Sequence, residues 1–559
     1  MKTVDDIFEQ IQGTGLYHKR LLYYLLTPIF FVTPFVFLNQ IFVLHIPDHW
    51  CDPPSGLTPA ELNLNLEEWK DLMLPKVLGP DYQMRWSQCH MYNVQNQTLE
   101  SILRDKNLTG MPQISCEEVN GYQYDKSEMI ATAVSDNDWV CSRQNYATNL
   151  YTIGVAGLIV GSGLLSALAD FKGRKYSFFI STLLVIICSI APIWFSHSYL
   201  WYCIFKALSF ACMMPLFQSP MNITTEISTS KMRGYVIGIA CISWSLGNCA
   251  LPLLAWLVNW WTTLRILCVA PLCFIFFYYE MLPESPRWLI SKGRTDEALI
   301  KTDPDLKEKI EAIAKATNEN VYGYLSLFSS TTMALRTLFV TMAFTASSFV
   351  YYQLVINIGN MAGNIFLNMF FLGLVEGPGC AIGVYAANKF GRRWTHFTML
   401  FVNFVLFFIL MWVVYYPNLN VLVIGLCMII KLSISGTFVV AYVQAMEVFP
   451  TAIRQSGIGF CTLISQLISI GGPYVIYLGV YDLKLPYLIM SLICLMGAIA
   501  VSFLPETLGG QMPQTLADVK TFGQDHRYFS YLPHQIIEED KKETLLEVQT
   551  ISPPAETKT

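Results

Sequence analysis

Charged residues are scarce in this chain: they make up 14% of its 559 residues, whereas a soluble protein of this length carries about 25%. Several function classes also lack their usual signature. There is no basic stripe and no zinc-ligand spacing, so neither nucleic-acid binding nor a metal site is expected. There is no Gly-x-x-x-x-Gly-Lys phosphate loop and no catalytic constellation, so we expect no ATP hydrolysis, no other enzymatic activity and no cofactor.

Apolar residues are abundant instead, at 53% of the chain. They form runs of about 20, the length that a helix needs to cross a bilayer. Because no lipid-exposed loop or open strand survives in hydrocarbon, the runs predict helices. The first 20 residues are polar and the first run is too long for a signal-peptide core, so we expect a retained first span. Twelve spans are predicted, at about residues 21–44, 146–168, 176–196, 200–225, 235–258, 262–281, 337–358, 364–387, 395–416, 419–446, 456–479 and 485–504.

The spans group as six and six around one long polar insert. Lys and Arg collect in the short connections on one side of the predicted membrane, which places that side in the cytoplasm together with both termini. The tail is polar and is predicted to be disordered. The predicted regions are a cytoplasmic N-terminus at 1–20, a first half at 21–283 with an outer loop at 45–145, a cytoplasmic linker at 284–335, a second half at 336–504 and the tail at 505–559.

Three phrases of the first half return in the second half, at offsets of 218, 221 and 222 residues. Each phrase lies at the end of an apolar run. A membrane protein made of two similar halves has a seam between them that can open to one side and then to the other, which is the geometry of a transporter. The phrases are Gly173-Arg174 with Gly391-Arg392, Glu226…Arg233 with Glu447…Arg454, and Leu282-Pro-Glu with Leu504-Pro-Glu.

The outer loop carries an even number of cysteines on the oxidising side of the membrane, so we expect two disulfides; the sequence leaves three pairings open. It also carries two glycosylation sequons, which begin at Asn96 and Asn107. The four cysteines are Cys51, Cys89, Cys116 and Cys141.

Five segments resemble the organic cation, carnitine and organic anion transporter family (solute carrier family 22) of the major facilitator superfamily. The resemblance covers about residues 1–520, and the four-cysteine glycosylated loop is its most specific sign. It implies an all-α membrane protein, with twelve helices in two pseudo-symmetric six-helix bundles, that moves small organic ions across a plasma membrane. The segments are Val4-Asp-Asp-Ile-Phe8, Pro47-Asp-His-Trp-Cys51, Pro283-Glu-Ser-Pro-Arg-Trp-Leu289, Glu447-Val-Phe-Pro-Thr-Ala-Ile-Arg454 and Leu504-Pro-Glu-Thr507.

Opposite charges recur at the cytoplasmic ends of the predicted spans. Basic residues there follow from topology alone, but acidic residues at a repeated spacing do not. We therefore predict a latch that holds the halves in the outward-open state and breaks when the protein opens inward. Its predicted members are Asp170, Arg174, Glu226 and Arg233 in the first half, and Arg392, Glu447 and Arg454 in the second.

Ionisable residues inside spans are costly and therefore functional candidates. Glu376 lies in the middle of the eighth span beside a Gly-Pro pair, which suits a water-filled cavity. Lys431 lies in the tenth span, about 24 Å from the level of Glu447 at 1.5 Å per residue. For Lys206 and Lys431, a structural pair or snorkelling explains the position as well as a functional role does. In the family, the place of Gln466 often holds Asp in cation transporters and Arg in anion transporters, so a neutral residue there argues against a dedicated anion carrier.

Aromatic residues are dense, and Phe217, Tyr352 and Phe438 lie where the family lines its central cavity. An ammonium over such a ring gains about 0.5–2 kcal/mol when it is desolvated. The alternative for each is lipid or core packing. Asn39 is polar and mid-span, so it either orients a substrate or joins helices.

The expected function is secondary-active or facilitative transport of a small organic cation or zwitterion resembling carnitine, β-alanine or carcinine. The expected partners are that substrate, membrane lipid and a coupling ion, with H⁺ and Na⁺ both left open. The rivals are an organic anion exchanger and a non-transporting receptor that uses the outer loop as its binding module.

Overall fold

Twelve long helices form the membrane part of the computed structural model, which describes residues 19–79, 83–94, 110–227, 230–280, 282, 284, 289, 324–360, 363–450 and 453–508. Within those residues, eleven helical segments are long and apolar enough to cross a membrane. The helix at the second predicted span has 28 residues and is long enough as well. The twelve are α1 Leu21–Val43, α2 Asn145–Lys172, α3 Arg174–Ile190, α4 Tyr199–Ala211 with Met213–Ile227, α5 Ser230–Val258, α6 Trp261–Phe274, α7 Thr331–Ile356, α8 Ile365–Phe390, α9 Arg392–Val413, α10 Asn420–Val448, α11 Arg454–Ser469 with Gly472–Tyr477, and α12 Lys484–Ser502.

Each predicted span has a helix at its place, so the prediction of a twelve-helix membrane protein is confirmed. Several predictions fall outside the described residues. These are the first 18 residues, most of the central linker and the tail after residue 508, together with the sequons at Asn96 and Asn107.

Small residues let α2 pack closely on α4, and α8 on α10. A Cβ atom on Gly157 would overlap the carbonyl of Ala207, and one on Gly161 would overlap that of Ala211. In the second half, Gly379 faces the backbone of Leu432, and Gly383 faces that of Gly436. Gly157 and Gly379 are 222 positions apart, as are Gly161 and Gly383. The internal repeat therefore includes the glycines at which the helices approach most closely in both halves. Small residues at such contacts are a common feature of helix association in membranes.

The repeated Leu-Pro-Glu phrase fastens the last helix of each half to the third. A Glu284 carboxylate oxygen accepts from the backbone N–H of Arg174 at 3.0 Å, and Glu506 accepts from that of Arg392 at 2.7 Å. A carboxylate is favourable at a helix N-terminus because it pairs with free N–H groups and the helix dipole. Both helices follow a glycine with positive φ, Gly173 at 112° and Gly391 at 90°, a conformation that other residues rarely adopt.

The loop between α1 and α2 is a small disulfide-bonded domain. Three antiparallel strand pairs form in it, with Trp69 and Met73 fully buried in its core. The prediction of two disulfides is confirmed, and the pairing is Cys51 with Cys116 and Cys89 with Cys141. The pairs join β1 His49–Cys51 with β6 Tyr122–Tyr124, β2 Lys76–Leu78 with β3 Met84–Trp86, and β4 His90–Tyr92 with β5 Gln113–Ser115; short helices span Leu66–Met73, Cys116–Val119 and Ala133–Asp136.

We call the membrane side that carries this domain the domain face, and the side with the turns at Gly173 and Gly391 the basic face. The two six-helix halves, α1–α6 and α7–α12, meet along a seam between them. α5 packs against α8, and α2 against α11. At the domain face the α2–α11 contact includes hydrogen bonds from Gln144 to Tyr477 (2.8 Å) and from Tyr474 to Asn149 (2.7 Å).

Candidate functional site

A buried ion pair lies at the centre of the second half. Lys431 Nζ on α10 is 3.3 Å from Glu376 Oε2 on α8. Glu376 is 4% exposed and Lys431 is 1% exposed. Burying two charges costs several kcal/mol for each unless geometry and further hydrogen bonds compensate. The neighbourhood of the pair therefore has to supply those bonds.

Both halves contribute to the surroundings of this pair. The Tyr351 hydroxyl on α7 donates to Glu376, and the Lys431 ammonium lies 3.6 Å from the centre of the Tyr351 ring. From the other half, Asn248 Nδ2 on α5 donates to Glu376 Oε2 at 2.8 Å. The carboxylate thus bridges the seam, and any separation of α5 from α8 breaks one of its hydrogen bonds.

Polar side chains on one face of α5 lie along α8. Ser245 donates to the carbonyl of Gly373 at 2.8 Å and accepts from the N–H of Gly377 at 3.2 Å. Sequence reasoning missed both Ser245 and Asn248. The available signal was the helical spacing of Cys241, Ser245 and Asn248, which places a polar stripe on one face of an otherwise apolar span.

Aromatic side chains form a continuous row across the seam, next to the ion pair. Tyr351 stacks on Phe438 in the second half, with the ring centres 5.2 Å apart. The row continues through Tyr352 to rings of the first half, and its members Phe37, Phe217, Trp244, Tyr352 and Phe438 are half-buried. The distances between successive ring centres are 6.4 Å for Phe438–Tyr352, 6.0 Å for Tyr352–Phe37, 6.3 Å for Phe37–Trp244 and 5.9 Å for Trp244–Phe217.

The structure brings most of the predicted substrate residues to this seam and sets one of them apart. Glu376, Lys431, Tyr352 and Phe438 lie together, and the ring row extends to Phe217. Gln466 lies at the α2–α11 contact, where Ser162 donates to its Oε1 at 3.3 Å. Asn39 lines a separate cavity inside the first half.

The predicted latch residues are described in part. Arg392 Nε is 3.2 Å from Glu447 Oε2, an ion pair between α9 and α10 within the second half. The guanidinium of Arg454 donates to the carbonyl of Phe449 at 3.4 Å. The backbone N–H of Arg174 is held by Glu284. The side chains of Asp170, Glu226 and Arg233 lie outside the described part of the structure.

One cluster of metal-ligand side-chain types occurs in the described residues, His49 with Cys89 and Cys141 in the loop domain. These two cysteines are joined to each other in a disulfide. Neither sulfur is available as a thiolate, so the cluster offers no thiolate ligand to a metal.

Two structurally similar halves, a seam lined by charge and rings, and helices that cross a bilayer define a membrane transporter. The sugar (and other) transporter family model matches residues 112–515, and the chain belongs to this family. A solved structure of the xylose transporter XylE from E. coli, partially occluded and inward-open, superposes with a TM-score of 0.59 at 13% identity, covering 89% of this chain and all of that one. The prediction of the major facilitator fold is confirmed.

Curated relatives extend over nearly the whole chain. The carcinine transporter of Drosophila melanogaster is 29% identical, over 94% of this chain and 80% of its own. The human organic cation/carnitine transporter 2 is 27% identical, over 94% of this chain and 96% of its own. The resemblance to the organic cation and carnitine transporters is confirmed, and the protein is a transporter and not an enzyme.

Proposed function

We propose that this protein moves a small organic cation or zwitterion, of the kind of carnitine, β-alanine or carcinine, across the plasma membrane by alternating access. The Glu376–Lys431 pair at the seam carries the proposal. A zwitterion brings an ammonium for Glu376 and a carboxylate for Lys431, so neither buried charge is left without a partner when it binds. A simple cation takes the place of the lysine at Glu376.

The row of rings beside the pair supports a cationic group in particular. Tyr352 and Phe438 are within one ring contact of Tyr351, which already holds the Lys431 ammonium over its face. A substrate ammonium that enters here exchanges one cation–π contact for another, each worth about 0.5–2 kcal/mol when desolvated. The names of the carcinine and organic cation/carnitine transporters among the relatives point to the same substrate class.

Uptake by cells that express the protein tests this proposal. The panel contains labelled carnitine, β-alanine, carcinine, a quaternary amine and a dicarboxylate, each compared with cells that lack the protein. We expect at least one amine or zwitterion to accumulate and an unlabelled excess of it to suppress the uptake. Repeating the uptake at two sodium concentrations and two pH values assigns coupling to Na⁺, H⁺ or neither.

Two rivals have distinct outcomes in the same experiment. An organic anion exchanger would accumulate the dicarboxylate alone; Glu376 disfavours it, because this carboxylate already neutralises Lys431. A receptor would show no flux of any solute while a ligand binds the loop domain.

Replacing Gln466 with Asp is expected to shift the preference of the transporter towards cations. The added carboxylate lies at the α2–α11 contact, where Ser162 can donate to it as it now donates to Gln466. A carboxylate at this position attracts a substrate cation, and a gain of about 1.4 kcal/mol in cation binding corresponds to roughly tenfold in the ratio of cation to zwitterion uptake. Gln466→Asn is the neutral control. An unchanged ratio in the substrate panel would remove Gln466 from the selectivity argument.

We also propose that the domain face is extracellular and that both termini are cytoplasmic, as the Lys and Arg distribution indicates. Glycans on Asn96 and Asn107 would then be removed from the surface protein by glycosidase treatment of intact cells, with a drop in apparent mass. Absence of that drop in a protein that reaches the surface would argue against this orientation.

The basic-face latch remains a proposal, supported by the half-buried Arg392–Glu447 pair. In this scheme the pair changes partners between the outward-open and inward-open states. The exchanged pair, Arg392→Glu with Glu447→Arg, is expected to recover transport that each single variant loses. Failure of the exchange while the protein folds would mean that the pair has no gating role.

A further inference from the structure

Two basic side chains lie buried in the first half, away from the Glu376–Lys431 pair. Lys206 on α4 is 5% exposed and Arg265 on α6 is 4% exposed. Within the described residues, neither forms an ion pair with a carboxylate. Both side chains line the same cavity. A buried charge without a counter-charge is costly, so two neighbouring cations leave this region short of negative charge.

The partners that these cations do have are neutral. Lys206 Nζ donates to Gln40 Oε1 at 2.6 Å and lies 4.1 Å from the centre of the Phe210 ring. Arg265 Nη2 donates to the Tyr202 hydroxyl at 2.7 Å. Arg265 Nη1 is buried and has no hydrogen-bond partner among the described residues. Buried donors are normally hydrogen-bonded, and arginine only donates, so this nitrogen requires a hydrogen-bond acceptor.

A cavity lies between the two cations, and the polar part of its wall can donate hydrogen bonds. Lys206 and Arg265 line it together with Asn39 and the hydroxyls of Ser189 and Ser209, which are 2.8 Å apart. Lysine and arginine are donors only, while the hydroxyls and the amide donate in one of their orientations. The wall of α1, α3, α4 and α6 residues therefore suits an anion.

The size of the cavity restricts which anion fits. Its free volume is about 20 Å³, whereas a single water needs roughly 10–15 Å³ on the same measure. A space of this order suits a small monatomic ion better than an organic carboxylate with its carbon chain. Lys206 is seven residues from the start of α4, about 10 Å below the domain face.

We propose that this cavity binds one halide ion, chloride under physiological conditions, between Lys206 and Arg265. The ion neutralises the two buried cations and supplies the acceptor that Arg265 Nη1 lacks. It joins four helices of the first half, so its expected effect is stabilisation of that half. The site is separate from the substrate site, and the proposal does not depend on which solute is transported.

Thermal unfolding of the purified full-length protein in detergent tests the proposal. Chloride, bromide, acetate or gluconate is titrated at constant sodium and constant ionic strength. A ligand that binds only the folded state raises the unfolding midpoint steadily once its concentration exceeds its Kd. We expect chloride and bromide to raise the midpoint, and acetate and gluconate to leave it unchanged.

Lys206→Gln is expected to abolish the chloride dependence, whereas Lys389→Gln, which removes an exposed lysine on α8, is expected to retain it. If Lys206→Gln does not fold, Ser209→Val keeps both cations, narrows the cavity and should also abolish the dependence. Glu376→Gln should retain it, which separates this site from the substrate site. Equal midpoints in chloride and gluconate for the unmodified protein, a rise with acetate equal to that with chloride, or a full chloride effect in Lys206→Gln or Ser209→Val would each overturn the proposal.

Discussion

Glu376→Gln is expected to lose organic-cation uptake almost completely. The substitution removes the charge that would hold the substrate ammonium and leaves Lys431 buried without its counter-ion. Loss of one partner from a buried charge pair costs about 2–5 kcal/mol, which is more than 20-fold in transport at limiting substrate. The measurement is initial uptake of the best panel substrate, divided by the amount of transporter at the cell surface.

The stability of the variant has to be separated from its transport. Breaking a buried pair destabilises a protein by about 3–5 kcal/mol, so the single variant is expected to reach the surface in smaller amounts. The double variant Glu376→Gln with Lys431→Met removes both charges and should recover surface amount without recovering uptake. Glu280→Gln, at an exposed position, is the control for loss of one acid. Recovery of uptake in the double variant would show that Glu376 only neutralises Lys431.

Gly161→Ala is expected to destabilise the first half strongly. The added Cβ would overlap the carbonyl of Ala211 on α4, so α2 and α4 must move apart. Overpacking of this kind typically costs about 1–3 kcal/mol and occasionally more. The expected result is a lower unfolding midpoint and less protein at the surface.

The same substitution at Gly238 provides a matched control with the opposite sign. Gly238 is also helical, is exposed, and has no atom within 4 Å of an added Cβ. Gly→Ala at a compatible position stabilises by about 0.4–1 kcal/mol because the unfolded chain loses freedom. Equal midpoints for the two variants would mean that the close approach of α2 and α4 does not limit stability.

The position of the membrane helices was predictable because a bilayer imposes a length and an apolar composition on any helix that crosses it. Glu376 and Lys431 could also be selected from the sequence, since an ionisable residue in such a run is exceptional. The sequence does not predict that these two residues pair with each other. The two residues are far apart in sequence and on different spans, and their meeting depends on the depth and rotation of α8 against α10, which the contacts at Gly379 and Gly383 fix.

The charged latch illustrates a second limit. The repeated acidic and basic residues at the span ends predict contacts between the halves. The described pair, Arg392 with Glu447, lies within the second half, and the side chains of Asp170, Glu226 and Arg233 lie outside the described part of the structure. The described hydrogen bonds between the halves lie at the centre and the domain face instead, at Asn248–Glu376 and Gln144–Tyr477. The spacing of residues along the sequence predicts their depth in the membrane, but it does not predict which helix they contact.

The sequence by itself determined the kind of molecule: helices that cross a membrane twelve times, two similar halves, a large loop with four cysteines, and three rare ionisable residues within the spans, Glu376, Lys431 and Lys206. These follow from local composition and repetition. Only the tertiary structure decided the partners. It joined Cys51 to Cys116, Glu376 to Lys431 and Asn248, and it set Lys206 beside Arg265. The reason is physical: such contacts depend on how helices approach and rotate, and that is set by side-chain packing summed over the whole seam and both bundles.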